Sequence, residues 1–166
     1  MKNAAPRLEI TLLGGFTAML GGAKVPDAAW RQRRAAAVVK LLALAPRHVQ
    51  HREQIIDTLW PELEPGAAAN NLRVALHHAR KQLAAVAGDA AGAFLVRDGD
   101  GLRLGPPDLV RVDLDEFEAG VARVWRTADF AGAATALDLY RGDLLPEDLY
   151  EDWVADRRAV LRASYV

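Results

Sequence analysis

Short strands followed by three helices and a β-hairpin, a basic balance over residues 1–104, and acidic amphipathic segments beyond a double proline all point to one fold class. They predict an α+β N-terminal winged helix-turn-helix followed by an all-α tetratricopeptide-like helical domain, with boundaries at about residues 7–104 and 110–166. The charge asymmetry carries the division. Residues 1–104 hold 14 Arg and Lys against 9 Asp and Glu, net +5, and residues 105–166 hold 7 against 13, net −6, which together make the overall −1. Two modules with different partners follow from that contrast.

The elements follow in order. "LEITLLGGF" alternates through Leu8, Ile10 and Leu12, turns at Gly14-Gly15, continues through Phe16, Ala18 and Leu20, and turns again at Gly21-Gly22, which reads as an antiparallel meander. "RQRRAAAVVKLLALAP" predicts a first helix with Val38, Leu41, Leu42 and Ala45 on one stripe and Pro46 at its end. "HREQIIDTLWP" predicts a second, with Ile55, Ile56, Leu59 and Trp60 buried. The third runs from about Ala67 to Val86, turning Ala68, Leu72, Ala75, Leu76, Ala79, Leu83 and Val86 inward, and Gly88 stops it. "AFLVRDGDGLRLGP" is a hairpin around Asp98-Gly99-Asp100-Gly101. Three helices and a hairpin put the third helix in the recognition position of a winged helix.

Beyond "GPPDLVRV", Asp113 or Asp115 is expected to cap a helix that buries Phe117, Val121 and Val124 or Trp125. A second helix is expected to bury Phe130, Ala134, Leu137 and Tyr140, with Ala134 at the close crossing and Gly142 ending it. A third, "EDWVADRRAVLRASYV", carries Trp153, Val154, Val160 and Leu161, and its apolar end at Tyr165 and Val166 is expected to continue into a longer protein. Trp60 and Trp125 are read as core residues, and Trp30 as a plug between the strands and the first helix.

The polar face of the third helix is the main functional candidate. Asn70, Arg73, Val74 and His77 are expected to face bases, since amides and guanidinium groups match base edges and an outward valine can pack on a thymine methyl. Phosphate contacts are expected from Arg31, Arg33, Arg34, Asn71, Arg80, Lys81, Arg97 and Arg103. The three arginines at the start of the first helix oppose its dipole and invite an anion, a solvated charge run being the alternative. A solvated surface is likewise the alternative for the third helix's polar face.

Other chemistries find little support. The chain has no cysteine, hence no disulfide or thiolate ligand. His77 and His78 diverge by about 100 degrees on a helix, and His48 with His51 lacks a third ligand, so neither a metal nor any cofactor is expected. The glycine pairs lack the Gly-Lys-Ser/Thr continuation of a phosphate loop, and no nucleophile pattern argues for an enzyme. No apolar stretch nears the roughly 20 residues of a membrane span, and a cytoplasmic location is the expectation. "RGDLLPEDLYEDW" offers Asp143, Glu147, Asp148, Glu151 and Asp152 near Leu144, Leu145 and Tyr150, either an interaction edge or an interhelix loop.

The succession "LEITLLGGF", "REQIIDTLWP", "ANNLRVALHHARKQL" and "VDLDEFE" resembles the SARP-like (Streptomyces antibiotic regulatory protein) transcriptional regulators over nearly the whole chain. Those proteins join an OmpR-type winged helix to a bacterial transcriptional activator domain. The resemblance implies that Leu59-Trp60 closes the second helix and that Leu72, Leu76, Arg80 and Leu83 frame the recognition helix, with Ala79 where a leucine is usual. It also implies double-stranded promoter DNA as ligand, self-association on direct repeats and contact with RNA polymerase. The alternative is a protein-interaction module of a larger signalling protein that has lost DNA binding.

Overall fold

A computed structural model describes residues 5–128 and 130–165, and the side chains within that range up to residue 163. Val166 and the Tyr165 side chain, where an apolar end is expected, lie outside the described residues. The chain divides into two compact units, Met1–Leu8 with Ala18–Val110 and Glu9–Thr17 with Arg111–Val166. Residues 9–17 thus go with the C-terminal helices, whereas the boundary read from charge and prolines keeps them with the N-terminal ones.

In the first unit, β2 (Thr17–Leu20) pairs antiparallel with β3 (Ala23–Lys24), Leu20 opposite Ala23. Gly21 and Gly22 join them at φ +62 and +83, a two-residue turn that needs positive φ at both positions. A 3-10 turn at Asp27–Arg31 buries Trp30 as expected. The first helix, α1 (Arg33–Leu44), buries every residue from Ala35 to Ala43 instead of one stripe, because alanines on its other sides let neighbours close in. Ala45, expected on that stripe, lies beyond the helix end and is half-buried.

A strand not expected from sequence follows, β4 (Val49–His51), and then α2 (Arg52–Leu59). Ile55 and Leu59 are buried, while Ile56 and Trp60 are half-buried, so Trp60 is not the core residue its position suggests. Pro65 opens α3 (Pro65–Ala87), where its missing N–H costs nothing, and Gly88 at φ +59 ends it. Ala68, Leu72, Ala75, Leu76, Ala79 and Leu83 are buried as their spacing requires, and Val86 is half-buried. Each fully buried leucine contributes roughly 1.5–3 kcal/mol. The hairpin forms as β5 (Leu95–Asp98) and β6 (Gly101–Leu104), and β4 adds to β6 to make a three-stranded sheet in the order β4-β6-β5. Gly101 stands where a Cβ would lie 2.8 Å from the Gln50 carbonyl oxygen, so this position admits only glycine without displacing β4.

The second unit contains most of β1 (Leu8–Thr11), the strand β7 (Val110–Val112) from Arg111 on, and the helices α4 (Asp113–Thr127), α5 (Phe130–Leu139) and α6 (Asp152–Tyr165). Asp113 is not the N-cap of α4; Val112 is, and the Asp113 carboxylate accepts from the Leu12 and Leu13 N–H groups at 2.8 and 3.1 Å. The Leu145 N–H donates to the Leu12 carbonyl and the Gly14 N–H to that of Asp143, both at 2.8 Å. Arg158, buried, donates from Nε to the Leu144 carbonyl and from Nη2 to that of Leu145.

Several expected core positions here face outward. Phe117 is buried and Val121 and Val124 are half-buried, but Trp125 is 81% exposed. In α5 the buried residue is Ala136, while Phe130 is 76% and Leu137 48% exposed and Ala134 is exposed too. The close crossing explains this reversal: a Cβ on Gly120 would stand 2.6 Å from that of Ala136, so α4 and α5 meet through their smallest residues. Gly142 does not end α5, which stops at Leu139; a Cβ there would meet the Gly14 Cα at 3.0 Å. Val154 and Leu161 are buried in α6, Trp153 is half-buried, and Val160 is 58% exposed.

Candidate nucleic-acid interface

The buried stripe of α3 forces the remaining side chains outward, and Asn70, Arg73, Val74, His77, Arg80 and Lys81 are all exposed. Asn71 and His78 flank them, half-buried. Val74 is 46% exposed, an apolar side chain amid polar ones. Arg73 Nη2 donates to Asn70 Oδ1, joining residues one turn apart.

A groove of about 490 Å³ runs beside this face. Arg52, Asn70, Arg73, Arg80 and Arg97 line it, together with the apolar Leu76 and Leu102 and no carboxylate among its lining residues. Arg52 and Arg97 also line a neighbouring groove that holds Glu53, Asp57 and Asp100, but the excess of arginines in this one favours an anionic ligand. Arg80 has a second task, since its Nε donates to the Leu95 carbonyl at 3.1 Å and so ties α3 to β5. Arg52 lines the groove although the sequence pattern does not single it out. It begins α2, where its N–H donates to the Asp100 carbonyl at 3.0 Å, fastening that helix start to the hairpin turn. The signal was available in the same dipole conflict that singled out Arg33 and Arg34, an arginine in a first helical turn.

The two hairpin arginines separate. Arg97 pairs across the ladder with Leu102, and Arg103 with Val96, so alternation puts them on opposite faces. Only Arg97 lines the groove. Arg103 is half-buried with Nη1 3.9 Å from Asp98 Oδ2, and a Cβ on Gly105 would lie 2.7 Å from its Nε. Arg31, Arg33 and Arg34 are exposed but do not line the groove; Arg31 ends the 3-10 turn, and α1 begins at Arg33 with no side-chain cap.

The histidines have local roles. His51 caps α2, its Nδ1 accepting from the Glu53 N–H at 3.2 Å, and His48 Nδ1 lies 3.3 Å from the Leu42 carbonyl oxygen. The His77 and His78 ring centres are 5.8 Å apart, edge to face. Among the described residues, no three His, Asp or Glu side chains are grouped so as to hold a metal ion. A second groove, about 1030 Å³, mixes Glu53, Asp57 and Asp100 with Trp60, Leu63 and Pro65.

In the second unit Leu144 and Leu145 of the acidic stretch are fully buried, while Leu149 is 60% exposed. Tyr150 is 97% exposed. Asp143 pairs with Arg162, whose guanidinium holds its carboxyl below the usual range. Among the described residues no helix is long and apolar enough to cross a membrane.

No family model and no curated protein sequence matches the chain. Among solved structures it is similar to Mycobacterium tuberculosis EmbR in complex with a low-affinity phosphopeptide, with a TM-score of 0.70 and 26% sequence identity. The likeness covers 95% of this chain and 42% of that one, so the chain spans less than half the length of that protein. It supports a SARP-like fold.

Proposed function

We propose that the chain is a sequence-specific DNA-binding transcriptional regulator, with α3 entering the major groove. The observation that carries this reading is the groove of four arginines beside the polar face of α3, with no carboxylate among its lining residues. Asn70, Arg73, Val74 and His77 face base edges, while Arg52, Lys81 and Arg97 hold phosphates on either side. Arg80 contributes by fixing the hairpin to α3 as well as by its charge. Arg31, Arg33 and Arg34 supply further phosphate contacts outside the groove, and the half-buried Asn71 and Arg103 have smaller parts. The likeness to EmbR and the sequence resemblance support a regulator of SARP type. The helical unit serves as the activating module, contacting RNA polymerase, and neighbouring copies occupy direct repeats in promoter DNA. No catalysis and no cofactor are part of this function.

Fluorescence anisotropy with promoter duplex at two salt concentrations tests it. Affinity should fall steeply with salt, by about 0.9 in log–log slope per phosphate neutralised. Arg73→Ala combined with Lys81→Ala should abolish specific binding. Full affinity in that double variant would sink the assignment of α3.

A further inference from the structure

We infer that Asn70 and Arg73 together select guanine, with Arg73 the reading residue and Asn70 its positioning residue; this rests on the DNA-binding reading above. An asparagine that reads adenine must give a donor to N7 and an acceptor to the N6 amino group. One of the two Asn70 Oδ1 lone pairs already accepts a hydrogen bond from the Arg73 guanidinium, which weakens that oxygen as an acceptor for adenine N6. That bond has a charged donor, roughly twice as strong as a neutral one. The groove offers Arg73 no carboxylate to draw it away, its other charged lining residues being Arg52, Arg80 and Arg97.

What the pair presents outward is therefore mainly donors: the Asn70 amide NH₂ and the N–H groups of Arg73 not given to Asn70, against the one remaining Oδ1 lone pair. A donor-rich surface fits the guanine edge, where N7 and O6 both accept. It meets a like donor at adenine N6 and at cytosine N4. Thymine offers one acceptor beside a methyl group, which suits Val74, 46% exposed next to Arg73, better than a guanidinium. Arg80 cannot substitute as the reader with its full fork, since its Nε is held by the Leu95 carbonyl.

The test is selection of bound sequences from a random duplex pool by the full chain and by its Arg73→Ala and Asn70→Ala variants. All three should melt alike, because both residues are exposed. The unaltered chain should retain duplexes with a fixed guanine, and replacing that guanine by adenine or by 7-deazaguanine should weaken binding on the order of 10-fold. Arg73→Ala should lose this preference, and Asn70→Ala should keep guanine first with a smaller margin. A fixed adenine that disappears in Asn70→Ala would overturn the inference. So would an Arg73→Ala pool with unaltered base preferences, and in both cases the sequence-specific reading survives; salt-dependent binding with no base preference at all would overturn the inference and the sequence-specific reading together, leaving only non-specific DNA binding. Retention of no DNA by the unaltered chain would sink both.

Discussion

Val74 and Asp113 show how much a single side chain can report. Val74 is exposed on a face otherwise made of polar groups, and a valine there gains nothing from water. If it packs on a thymine methyl, replacing that thymine by uracil should weaken binding about 2- to 5-fold, the worth of one buried methyl group or less. The Val74→Ala variant should be insensitive to the same change, and anisotropy on the paired duplexes reads both. Asp113 reports on pH. Burial raises its carboxyl above the ordinary aspartate range, against the pull of the Leu12, Leu13 and Leu114 N–H groups, and Glu116 adds to the rise. A raised value means the folded state holds this proton more tightly. The stabilisation is fully present below the ordinary value of about 3.9 and is lost as pH climbs through the raised one. The difference in melting temperature between the unaltered chain and Asp113→Asn should therefore shift towards the unaltered chain as pH falls from 7 towards 4. Asp143 works in the opposite sense, held low by Arg162, but it is common to both proteins and cancels from the difference.

Among the elements, the hairpin depends on one residue. Gly101→Ala would press a methyl group into the Gln50 carbonyl and part β4 from β6. A cost of about 1–3 kcal/mol is expected, measured by urea unfolding, together with weaker DNA binding as Arg97 and the Asp100 anchor of Arg52 move. Wild-type stability would show that the ladder tolerates the methyl. The elements also differ in how plainly their sequences speak. The pattern of α3 was readable because large apolar residues alternate with charged ones, so only one face can be buried, and its polar face follows from the same pattern. In α5 that contrast is missing: Phe130, Leu137 and Leu139 lie among alanines, and which side turns inward is decided by the fit of Ala136 against Gly120, a partner sixteen residues away. β4 was not readable because three residues, two of them polar, carry no alternation to detect. Arg52 escapes the sequence pattern for a related reason, since its place in the groove depends on α2 being fastened to a hairpin turn some fifty residues later.

At the scale of the whole molecule, the division of the chain matters more than its charge. Removing residues 111–166 would take away Asp113, Asp143 and Leu145, the partners of the Leu12, Leu13 and Gly14 backbone groups. Each lost hydrogen bond costs about 1 kcal/mol, and buried donors left unpaired cost more. Amide hydrogen exchange should find Leu12, Leu13 and Gly14 protected in the full chain and near free exchange in the shortened one. Protection that survives the truncation would mean residues 9–17 need no partner from the C-terminal helices. Binding measurements therefore belong on the full chain.

The same long-range pairing sets a timetable for synthesis. Asp113 leaves the ribosome 101 residues after Leu12, and Leu145 and Arg158 follow later still. Closing so long a loop is slow, because its entropy must be surrendered before any of these bonds can form. The first unit can begin to organise from Ala18 onward while the Leu12, Leu13 and Gly14 backbone groups wait for their C-terminal partners. For that interval the nascent chain is open to pairing with another strand of its own kind, and a chaperone that covers short apolar strands would find its substrate there.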